Sequence, residues 1–380
     1  MLNFINKKFL GKTFADVCCG IGGGRLVLES LGAKCVYAFE SDKYASVMYK
    51  ENFGEEPKKD LIVSEVPEHN ILLFKLRYED LKVLEVDVDI KPNNMICKIV
   101  DVIDVRKPEV IVVETPNTSD GVIEYILRKS GYDVCSDTLN ACDYGVPQSR
   151  KSLYCVAFRK DTVVKNFVFP LPLELTKHVE DILAPASDIP TEMCVDRPDT
   201  VMNGKVEEYS NRPIQIGHIA QNRQGERIYS IKGTAITLTA NGGGKFSKTG
   251  GYLIDDKVRK LTPRECARLM GFPDEFKICE SNNQAYKQFG NSVVVDVIQY
   301  ILLSIAEAYD EYEGNIINEN STLKKEYLNP SDKIFQFLSK FKVVDLTYII
   351  RLIVNELNAC FNRVTIYKAI WHKRSSLIKI

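Results

Sequence analysis

The segment from Phe14 to Glu40 limits the possible folds of this chain more than any other, because it alternates apolar runs with a glycine-rich turn. The first apolar run leads into residues that have almost no side chains, namely Gly20, Gly22, Gly23 and Gly24. A helical pattern then reaches Gly32, where a helix C-cap is expected, and a second apolar run ends at Glu40. This order of strand, glycine turn, helix, strand and acid predicts the first unit of a doubly wound α/β sheet.

The same segment indicates a class of ligand. Glycines in a turn let a ligand approach the backbone closely, and an acid about 20 residues further on can accept hydrogen bonds from ribose hydroxyls. That acid is Glu40 in this chain. Arg25 stands where the third glycine of the dinucleotide-binding GxGxxG pattern would be. The turn therefore favours a nucleotide-type ligand without the dinucleotide fingerprint, and a glycine turn by itself is a weak indication.

Length, apolar runs and cysteine spacing narrow the class of protein. The 380 residues are enough for two or three domains with a sizeable core. No apolar run is long enough to cross a bilayer and no signal peptide is recognisable, so no membrane partner is expected. The eleven cysteines include no CxxC pair and no histidine at metal-binding spacing. We therefore expect reduced thiols, an intracellular location and no metal site.

Changes in composition divide the chain into segments. Alternating strand and helix patterns predict one domain over residues 1–165. Residues 166–260 are rich in Gly, Thr, Asn and Pro and lack helical periodicity, which predicts a smaller domain of strands and loops. Helical periodicity returns over 261–306, where Thr262-Pro263-Arg264-Glu265 has the pattern of a helix N-terminus.

Two further segments follow this return to helical periodicity. Residues 307–330 are acidic and rich in asparagine, and we interpret them as a linker. Residues 331–380 contain nine Lys/Arg and three Asp/Glu, a net charge of +6, and are predicted to form a basic helical extension. Within it, 362–370 resembles the second helix of a helix-turn-helix, with Arg363 and Lys368 available to a DNA groove. The alternative is a basic amphipathic helix that docks on the first domain or on a protein partner.

Seven motifs carry a resemblance to a known family: Asp16-Val-Cys-Cys-Gly-Ile-Gly-Gly, Glu40-Ser-Asp-Lys-Tyr, Asn140-Ala-Cys-Asp-Tyr-Gly-Val-Pro-Gln-Ser-Arg150, Gln224-Gly-Glu-Arg-Ile-Tyr-Ser, Ile236-Thr-Leu-Thr-Ala-Asn-Gly-Gly-Gly244, Arg264-Glu-Cys-Ala-Arg-Leu-Met-Gly-Phe-Pro273 and Ala285-Tyr-Lys-Gln-Phe-Gly-Asn-Ser. Together they resemble the DNA cytosine-5 methyltransferase family over about residues 10–305. The resemblance implies an S-adenosylmethionine-dependent methyltransferase core and a smaller β/loop DNA-recognition domain, with the helical C-terminal extension outside it.

In this family the first domain binds S-adenosylmethionine. The resemblance transfers that role to Asp16, Gly20, Gly22, Gly23, Glu40, Asp60 and Asn291. Two aromatic residues that line the adenine pocket in the family are missing, since Gly24 and Ser41 stand at their positions. Burial of one ring is typically worth about 1.5–3 kcal/mol. The resemblance therefore implies S-adenosylmethionine binding that is weak, which leaves the cofactor in doubt.

Methyl transfer in the family requires a nucleophile. A cysteine thiolate adds to C6 of a cytosine that has left the DNA helix, and a glutamate bonds N3 so that C5 can take the methyl group. By the resemblance, Arg77 stands at the cysteine and Leu76 at the proline before it. A guanidinium stays protonated and carries no usable lone pair. The resemblance thus implies a lost nucleophile, and the alternative for this segment is a core strand with a charged end.

Other catalytic positions are partly retained. Glu114 stands at the position of the glutamate, but Thr115 replaces the asparagine that supports it. The family's Gln-x-Arg-x-Arg pattern keeps Gln148 and Arg150, while Ser152 replaces the second arginine.

The DNA-reading motifs are better preserved. By the resemblance, Gln224 would fill the gap that a flipped base leaves and Arg227 would read a guanine edge, a contact worth about 1–3 kcal/mol of discrimination. Thr237 and Thr239 would hold phosphates. The alternatives are solvated loop residues for the first two and ordinary strand threonines for the other two.

Three functions remain open on these grounds. The first is a double-stranded DNA-binding protein derived from a cytosine-5 methyltransferase that no longer methylates. The second is an active methyltransferase with an unexpected nucleophile. The third is an inactive protein partner that regulates another methyltransferase, with the basic C-terminal helices as its contact surface.

Overall fold

The computed structural model describes residues 8–77, 80, 95–116, 121–162, 167–204 and 206–319, with only the backbone described over 310–319. The chain divides into two compact units, one within residues 1–163 and 172–306 and the other within 164–171 and 307–380. The first unit contains both sheets described below. The predicted extension over 331–380 and its helix-turn-helix lie outside the described residues.

A mostly parallel six-stranded sheet forms the first part of the chain. Its strands are β1 (Thr13–Val17), β2 (Lys34–Phe39), β3 (Ile71–Lys75), β4 (Val110–Thr115), β5 (Tyr132–Asn140) and β6 (Lys151–Arg159), in the order β2-β1-β3-β4-β6-β5. β6 runs antiparallel to both of its neighbours, β4 and β5, and the other neighbouring strands are parallel. The helices along this part are α1 (Gly23–Ser30), α2 (Lys43–Phe53), α3 (Met95–Arg106) and α4 (Val122–Lys129). The doubly wound α/β fold predicted from the sequence is confirmed.

The strand order creates the place where a ligand binds in such sheets. The chain leaves β1 toward β2 on one side and later continues into β3 on the other side of β1. Ligands of open α/β sheets bind outside the carboxyl ends of the strands at this switch point. The core under it is apolar because the central strands are buried on both faces, as with Ala15, Leu72 and Val113, which are almost fully inaccessible.

A second sheet follows in the segment predicted to be strands and loops. Its five strands are β7 (Val201–Met202), β8 (Gln215–His218), β9 (Arg227–Ser230), β10 (Gly251–Ile254) and β11 (Lys257–Lys260), in the order β11-β10-β9-β8-β7. It has a small apolar core of its own around Ile216, Ile228 and Phe246. The prediction of a separate domain over 166–260 stays a prediction, since this sheet belongs to the same compact unit as the first.

The return to helical structure begins at α5 (Pro263–Leu269), as the sequence predicts. Thr262 Oγ1 accepts a hydrogen bond from the Glu265 amide, and the Glu265 carboxylate accepts one from the Thr262 amide, which is a capping box. The same carboxylate binds Arg259 through two bonds of 2.7 and 2.8 Å. It also accepts the amide of Ala184 at 2.9 Å, so one buried carboxylate ties together β11, α5 and the chain before the second sheet.

Two helices follow, α6 (Asn282–Asn291) and α7 (Val295–Glu319), and α7 continues past residue 306, where the first unit ends. The predicted linker over 307–330 begins inside α7, whose backbone is helical to Glu319, and its role as a linker stays a prediction. By length and composition, residues 282–309 could cross a membrane, since an 18-residue window within them has a mean hydropathy of 1.6, but 72% of that window is buried inside the protein. That burial is typical of a core helix.

Candidate functional site

The carboxyl ends of β1, β2 and β3 surround two small cavities at the switch point. The larger has a volume of about 40 Å³ and is lined by Cys18, Gly20, Ile21, Glu40, Asp42, Ala45, Lys75, Arg77, Gln284, Lys287, Gln288 and Asn291. The smaller has a volume of about 20 Å³ and is lined by Asp16, Cys18, Cys19, Gly20, Gly24, Leu73, Phe74, Lys75, Asn291, Ser292 and Val293.

The structure brings together four of the seven residues predicted to bind the cofactor. Asp16, Gly20, Glu40 and Asn291 line one or both cavities. The other three are Gly22, Gly23 and Asp60, and they line neither. The two glycines serve packing, since a Cβ on Gly22 would stand 2.2 Å from the ring of Phe53 and one on Gly23 would stand 2.9 Å from Val293. Asp60 is exposed.

Glu40 already uses both of its carboxylate oxygens within the chain. Oε2 accepts the Gly20 amide at 2.8 Å, and Oε1 accepts the Asp42 amide at 2.7 Å. These bonds fix the glycine turn to the end of β2. Lys287 on α6 bridges the same edge of the cavity with an ion pair of 2.8 Å to Asp42, the N-cap of α2.

The cavities do not fit a molecule of the size of S-adenosylmethionine. Pockets that bury a ligand of that size have volumes of about 300–1,000 Å³, whereas these have volumes of about 40 and 20 Å³. Leu73 is one cause, because a Cβ added to Gly24 would stand only 2.0 Å from its Cδ2. The Leu73 side chain thus fills the space above Gly24, where the resemblance implies an aromatic ring.

Shortening Leu73 to alanine should enlarge the smaller cavity and raise the affinity for S-adenosylmethionine, measured by titration calorimetry. The change should also lower the free energy of unfolding by about 2–5 kcal/mol, as for other buried leucines. Leu72→Ala is the matched control, because Leu72 is equally buried but packs into the core on the other face of β3. Equal cofactor affinities of the two variants would contradict this interpretation of Leu73.

The carboxylate of Glu114 is held by two side chains that the sequence resemblance did not assign to it. Glu114 lies in β4 directly beside Lys75 in β3. The ammonium of Lys75 lies 3.0 Å from Oε2, and the Ser152 hydroxyl donates to Oε1 at 2.8 Å. Only 2% of the Glu114 side chain is exposed. Ser152 therefore supplies a support for this carboxylate where the family has an arginine.

Lys75 is itself held in place from a second side. Its ammonium donates to the backbone oxygen of Ser292 at 2.7 Å, and Arg150 donates to the same oxygen at 3.4 Å. Burial, partly offset by the attraction of Glu114, lowers the pKa of Lys75 to about 8, and the nearby Arg150 lowers it further. The ammonium thus keeps its proton at neutral pH and remains an ion-pair partner.

Arg77 lies just beyond the end of β3 and turns toward Asp80. Its backbone amide donates to Asp80 Oδ2 at 2.8 Å, its Nε lies 3.4 Å from the same oxygen, and 41% of its side chain is exposed. It lines the larger cavity. Residues 78, 79 and 81–94, which continue this segment, lie outside the described residues.

Two thiols line the cavities, and both are held in the protonated form. Burial raises the pKa of Cys18 above its usual range, and the carboxylate of Glu40 raises it further. Burial and then Asp16 raise the pKa of Cys19 in the same direction. The thiolate is the nucleophilic form of cysteine, so neither thiol is activated for attack.

Arg150 and Gln148 connect the first sheet to the segment that the resemblance assigns to DNA. Arg150 donates to the backbone oxygens of Leu238 and Gly290 at 3.0 and 3.1 Å. The Gln148 side chain is fully buried, accepts the Leu238 amide and donates to the Leu269 oxygen, each at 3.0 Å. Arg150 therefore holds two backbone segments together, and its predicted catalytic role stays a prediction.

The predicted DNA-reading residues lie on loops that pack closely together. Gln224 is exposed, and Arg227 is half-buried with no partner for its Nε among the described residues. A Cβ on Gly225 would stand 2.0 Å from the Gly243 oxygen, so these two loops touch through their backbones. The Gly225 oxygen also accepts the Phe246 amide at 2.8 Å. Only glycine allows this approach, and it fixes Gln224 beside the loop around Gly243.

Thr237 and Thr239 are placed on either side of the buried Leu238. The Thr237 hydroxyl donates to the Ser149 oxygen at 2.6 Å, and the Thr239 hydroxyl donates to the Asn241 oxygen at 2.8 Å. Each hydroxyl oxygen keeps its lone pairs, but its proton serves an internal bond. A Cβ on Gly290 would stand 2.5 Å from the Thr239 backbone, so this loop abuts the end of α6 beside the cavities.

Sequence reasoning assigned no contact in this site to three residues, namely Lys75, Ser152 and Leu73. The sequence does offer an indication for Lys75, because a lysine ends an otherwise apolar strand that is buried in the structure. A buried lysine needs an anionic partner, although the sequence alone does not identify Glu114. Among the described residues, no group of His, Cys, Asp and Glu is arranged to hold a metal ion.

Comparison with known proteins now gives the family. The family model for the C-5 cytosine-specific DNA methylase matches residues 12–74 and 87–307. The match is interrupted over the segment that contains Lys75 and Arg77. The chain is 42% identical over 323 residues to the type II methyltransferase M.HhaI of Haemophilus parahaemolyticus, which covers 81% of this chain and 98% of that protein. It is 29% identical to M.HpaII of Haemophilus parainfluenzae, over 78% of this chain and 91% of that protein.

Solved structures agree with the fold. The S. pombe Dnmt2 methyltransferase superposes with a TM-score of 0.60 at 19% identity, covering 78% of this chain and 98% of that chain. The Entamoeba histolytica methyltransferase EhMeth gives a TM-score of 0.56 at 18% identity, over 79% and 98% of the two chains. The fold is that of the S-adenosylmethionine-dependent methyltransferases. With a family match over most of its length and a relative at 42% identity, this chain belongs to the C-5 cytosine-specific DNA methylase family.

Proposed function

We propose that this protein binds double-stranded DNA and does not methylate it. The observation that carries the proposal is that no cysteine among the described residues offers an available thiolate at the site. The sequence has no cysteine between Cys35 and Cys97, so none follows β3 where the family places its nucleophile. Without addition at C6, C5 of cytosine is too weakly nucleophilic to take a methyl group.

Catalysis by an unexpected nucleophile is the second candidate, and Cys18 is the residue that would have to supply it. Cys18 lines both cavities, but its thiol is buried and its pKa is raised. Arg77 opposes this rise in pKa, but burial, Glu40 and Asp80 outweigh it, and Arg77 is paired with Asp80. An unactivated thiol gives little attack on a pyrimidine, so the geometry favours the inactive protein.

The cofactor site supports the same conclusion. S-adenosylmethionine is the methyl donor of the family, and Glu40 and the glycine turn at Gly20 would contact it. The small cavities and the Leu73 side chain leave it little room. We therefore propose that this protein binds the cofactor weakly, and no step of its function depends on that binding.

DNA binding is supported by two loops that pack together, one around Gln224 and one around Gly243, which we call the recognition loops. The family match covers them, and their backbones are held together by the close contact of Gly225 with Gly243. Gln224 is exposed at the tip, and Arg227 has an unpaired buried Nε among the described residues. We propose that Gln224 and Arg227 contact bases, and that Thr237 and Thr239 contact phosphates through their free lone pairs. The protein would then act inside the cell, at DNA.

Arg227→Ala should weaken binding to a preferred duplex by about 1–3 kcal/mol, the usual contribution of an arginine that reads a guanine edge. The measurement is a gel shift with a GCGC-containing duplex and a scrambled duplex of the same composition. Arg159→Ala is the matched control. It removes the same charge at the last residue of β6, beyond Tyr154, which is the residue of this strand that pairs with Glu114. An equal effect of both variants on both duplexes would show that Arg227 does not read sequence.

The same gel shift separates DNA binding from a purely regulatory role. The basic segment over 331–380 would be the contact surface for a protein partner in the regulatory case. We expect the full chain to shift at least one of the two duplexes. A chain that binds neither duplex would contradict DNA binding and leave the role of an inactive partner.

A further inference from the structure

The end of β3 carries an unusual side chain for its surroundings. Ile71, Leu72, Leu73 and Phe74 are buried and apolar, and the strand then ends in Lys75. The register of the parallel ladder places Lys75 directly opposite Glu114. The side chains of these two residues therefore project from the same edge of the sheet, toward the space in front of the Glu114 carboxylate.

The side chain of Lys75 occupies that space. Its ammonium lies between Glu114 Oε2 at 3.0 Å and the Ser292 oxygen at 2.7 Å, and 13% of its side chain is exposed. The other carboxylate oxygen of Glu114 is taken by Ser152. A nucleobase that is to bond Glu114 must first displace the lysine from a buried carboxylate. A buried carboxylate that loses its partner is strongly destabilised.

We propose that the Lys75 side chain occupies the space in front of Glu114 that would receive a flipped base, called the base pocket below. The protein consequently holds its DNA with every base stacked inside the helix. This inference rests on the proposed DNA binding. Extruding a base requires unpairing and unstacking, and contacts in the pocket must compensate for that. Glu114 Oε1 accepts the Ser152 hydroxyl, and Oε2 is held in an ion pair with Lys75 but has no hydrogen-bond partner among the described residues. An entering base would have to break that ion pair to reach Oε2, and the cost offsets the compensation that the pocket could offer.

The test measures binding and extrusion separately on the full chain. A gel shift with the GCGC and scrambled duplexes first identifies a duplex that the protein binds. The same duplex, with 2-aminopurine in place of the inner cytosine of GCGC or of one cytosine of the scrambled site, then reports unstacking as a rise in fluorescence. We expect the wild-type protein to shift the duplex while the fluorescence stays within a factor of about 1.5 of the free duplex, a margin set by residual stacking changes.

Two variants at one position identify the lysine as the cause. Lys75→Ala empties the space, and we expect a rise in fluorescence of about threefold or more, as for an unstacked base. Lys75→Met is the matched control, because it removes the charge but keeps the length of the side chain, and we expect no rise. Thermal denaturation checks that both variants fold. If Lys75→Ala does not fold, the double variant Lys75→Ala/Glu114→Gln replaces it, since it leaves no unpaired buried charge.

Each outcome decides a different point. A rise in fluorescence with the wild-type protein would overturn the inference and leave DNA binding intact. A folded Lys75→Ala variant, or the double variant, that binds without a rise would overturn the role of Lys75. The absence of any shifted band would refute the proposed DNA binding, and the inference with it.

Discussion

Glu265→Ala should lower the free energy of unfolding by about 3–5 kcal/mol, the usual effect of removing one partner from a buried ion pair. Glu265 is fully buried, and its carboxylate binds Arg259 through two bonds, the Thr262 amide and the Ala184 amide. The substitution leaves the guanidinium of Arg259, itself 4% exposed, without an anion. Urea denaturation followed by circular dichroism measures the loss.

The control for this prediction is Glu275→Ala, which removes a glutamate that is exposed. Surface substitutions of this kind usually change stability by less than about 0.5 kcal/mol. Glu265→Gln should fall between the two, since it keeps the shape and one acceptor but loses the charge. A loss below about 1 kcal/mol for Glu265→Ala would show that the bonds of the Glu265 carboxylate do not hold the second sheet to the core.

Asp16→Asn should remove a dependence of stability on pH between about 4 and 8. Asp16 is 3% exposed, and its Oδ2 has no hydrogen-bond partner among the described residues. Burial raises the pKa of Asp16 to about 8, Arg25 opposes that shift and Glu40 adds to it. In this pH range the folded protein keeps the proton on Asp16, whereas the unfolded chain releases it.

The sign of the effect follows from this difference in proton binding. Since the unfolded chain binds fewer protons than the folded protein, the contribution of Asp16 to stability falls as the pH rises from about 4 to about 8. We expect Asp16→Asn to be more stable than the wild type at pH 8 by on the order of 5 kcal/mol, and similar to it at pH 4. Asp133→Asn, an exposed substitution in β5, serves as the control. Parallel stability curves of Asp16→Asn and wild type from pH 4 to 8 would contradict this.

Most of the fold could be predicted from the sequence because its signals are local. The glycine turn between two apolar runs predicted β1, α1 and β2, and the pattern from Thr262 to Glu265 predicted the capping box of α5. The linker predicted over 307–330 stays a prediction: the helical backbone of α7 continues to Glu319, while the first compact unit ends at residue 306. Polar residues on one side of a helix do not end it.

The site could be predicted only in part, because its decisive contacts join residues far apart in the chain. The resemblance identified Glu114, but Lys75 meets it only through the register of β3 against β4. Leu73 fills the space above Gly24, and the sequence shows the missing aromatic ring but not its replacement. Arg150 kept its identity, yet its bonds go to backbone oxygens of Leu238 and Gly290.

In this methyltransferase fold, several side chains at the switch point form bonds within the protein. Glu40 bonds its own backbone, Glu114 bonds Lys75, and Asp42 bonds Lys287. The recognition loops keep exposed groups, with Gln224 and Thr237 accessible to a partner. Under the proposed function, such a protein would hold a duplex and leave it unmethylated.

The most direct measurement of this account is methyl transfer from labelled S-adenosylmethionine to a GCGC-containing duplex by the full chain. We expect counts in the DNA no higher than those of a boiled control, over hours and at cofactor concentrations up to the millimolar range. Methylation above that control would contradict the account, and it would mean that another group, such as Cys18, attacks the base.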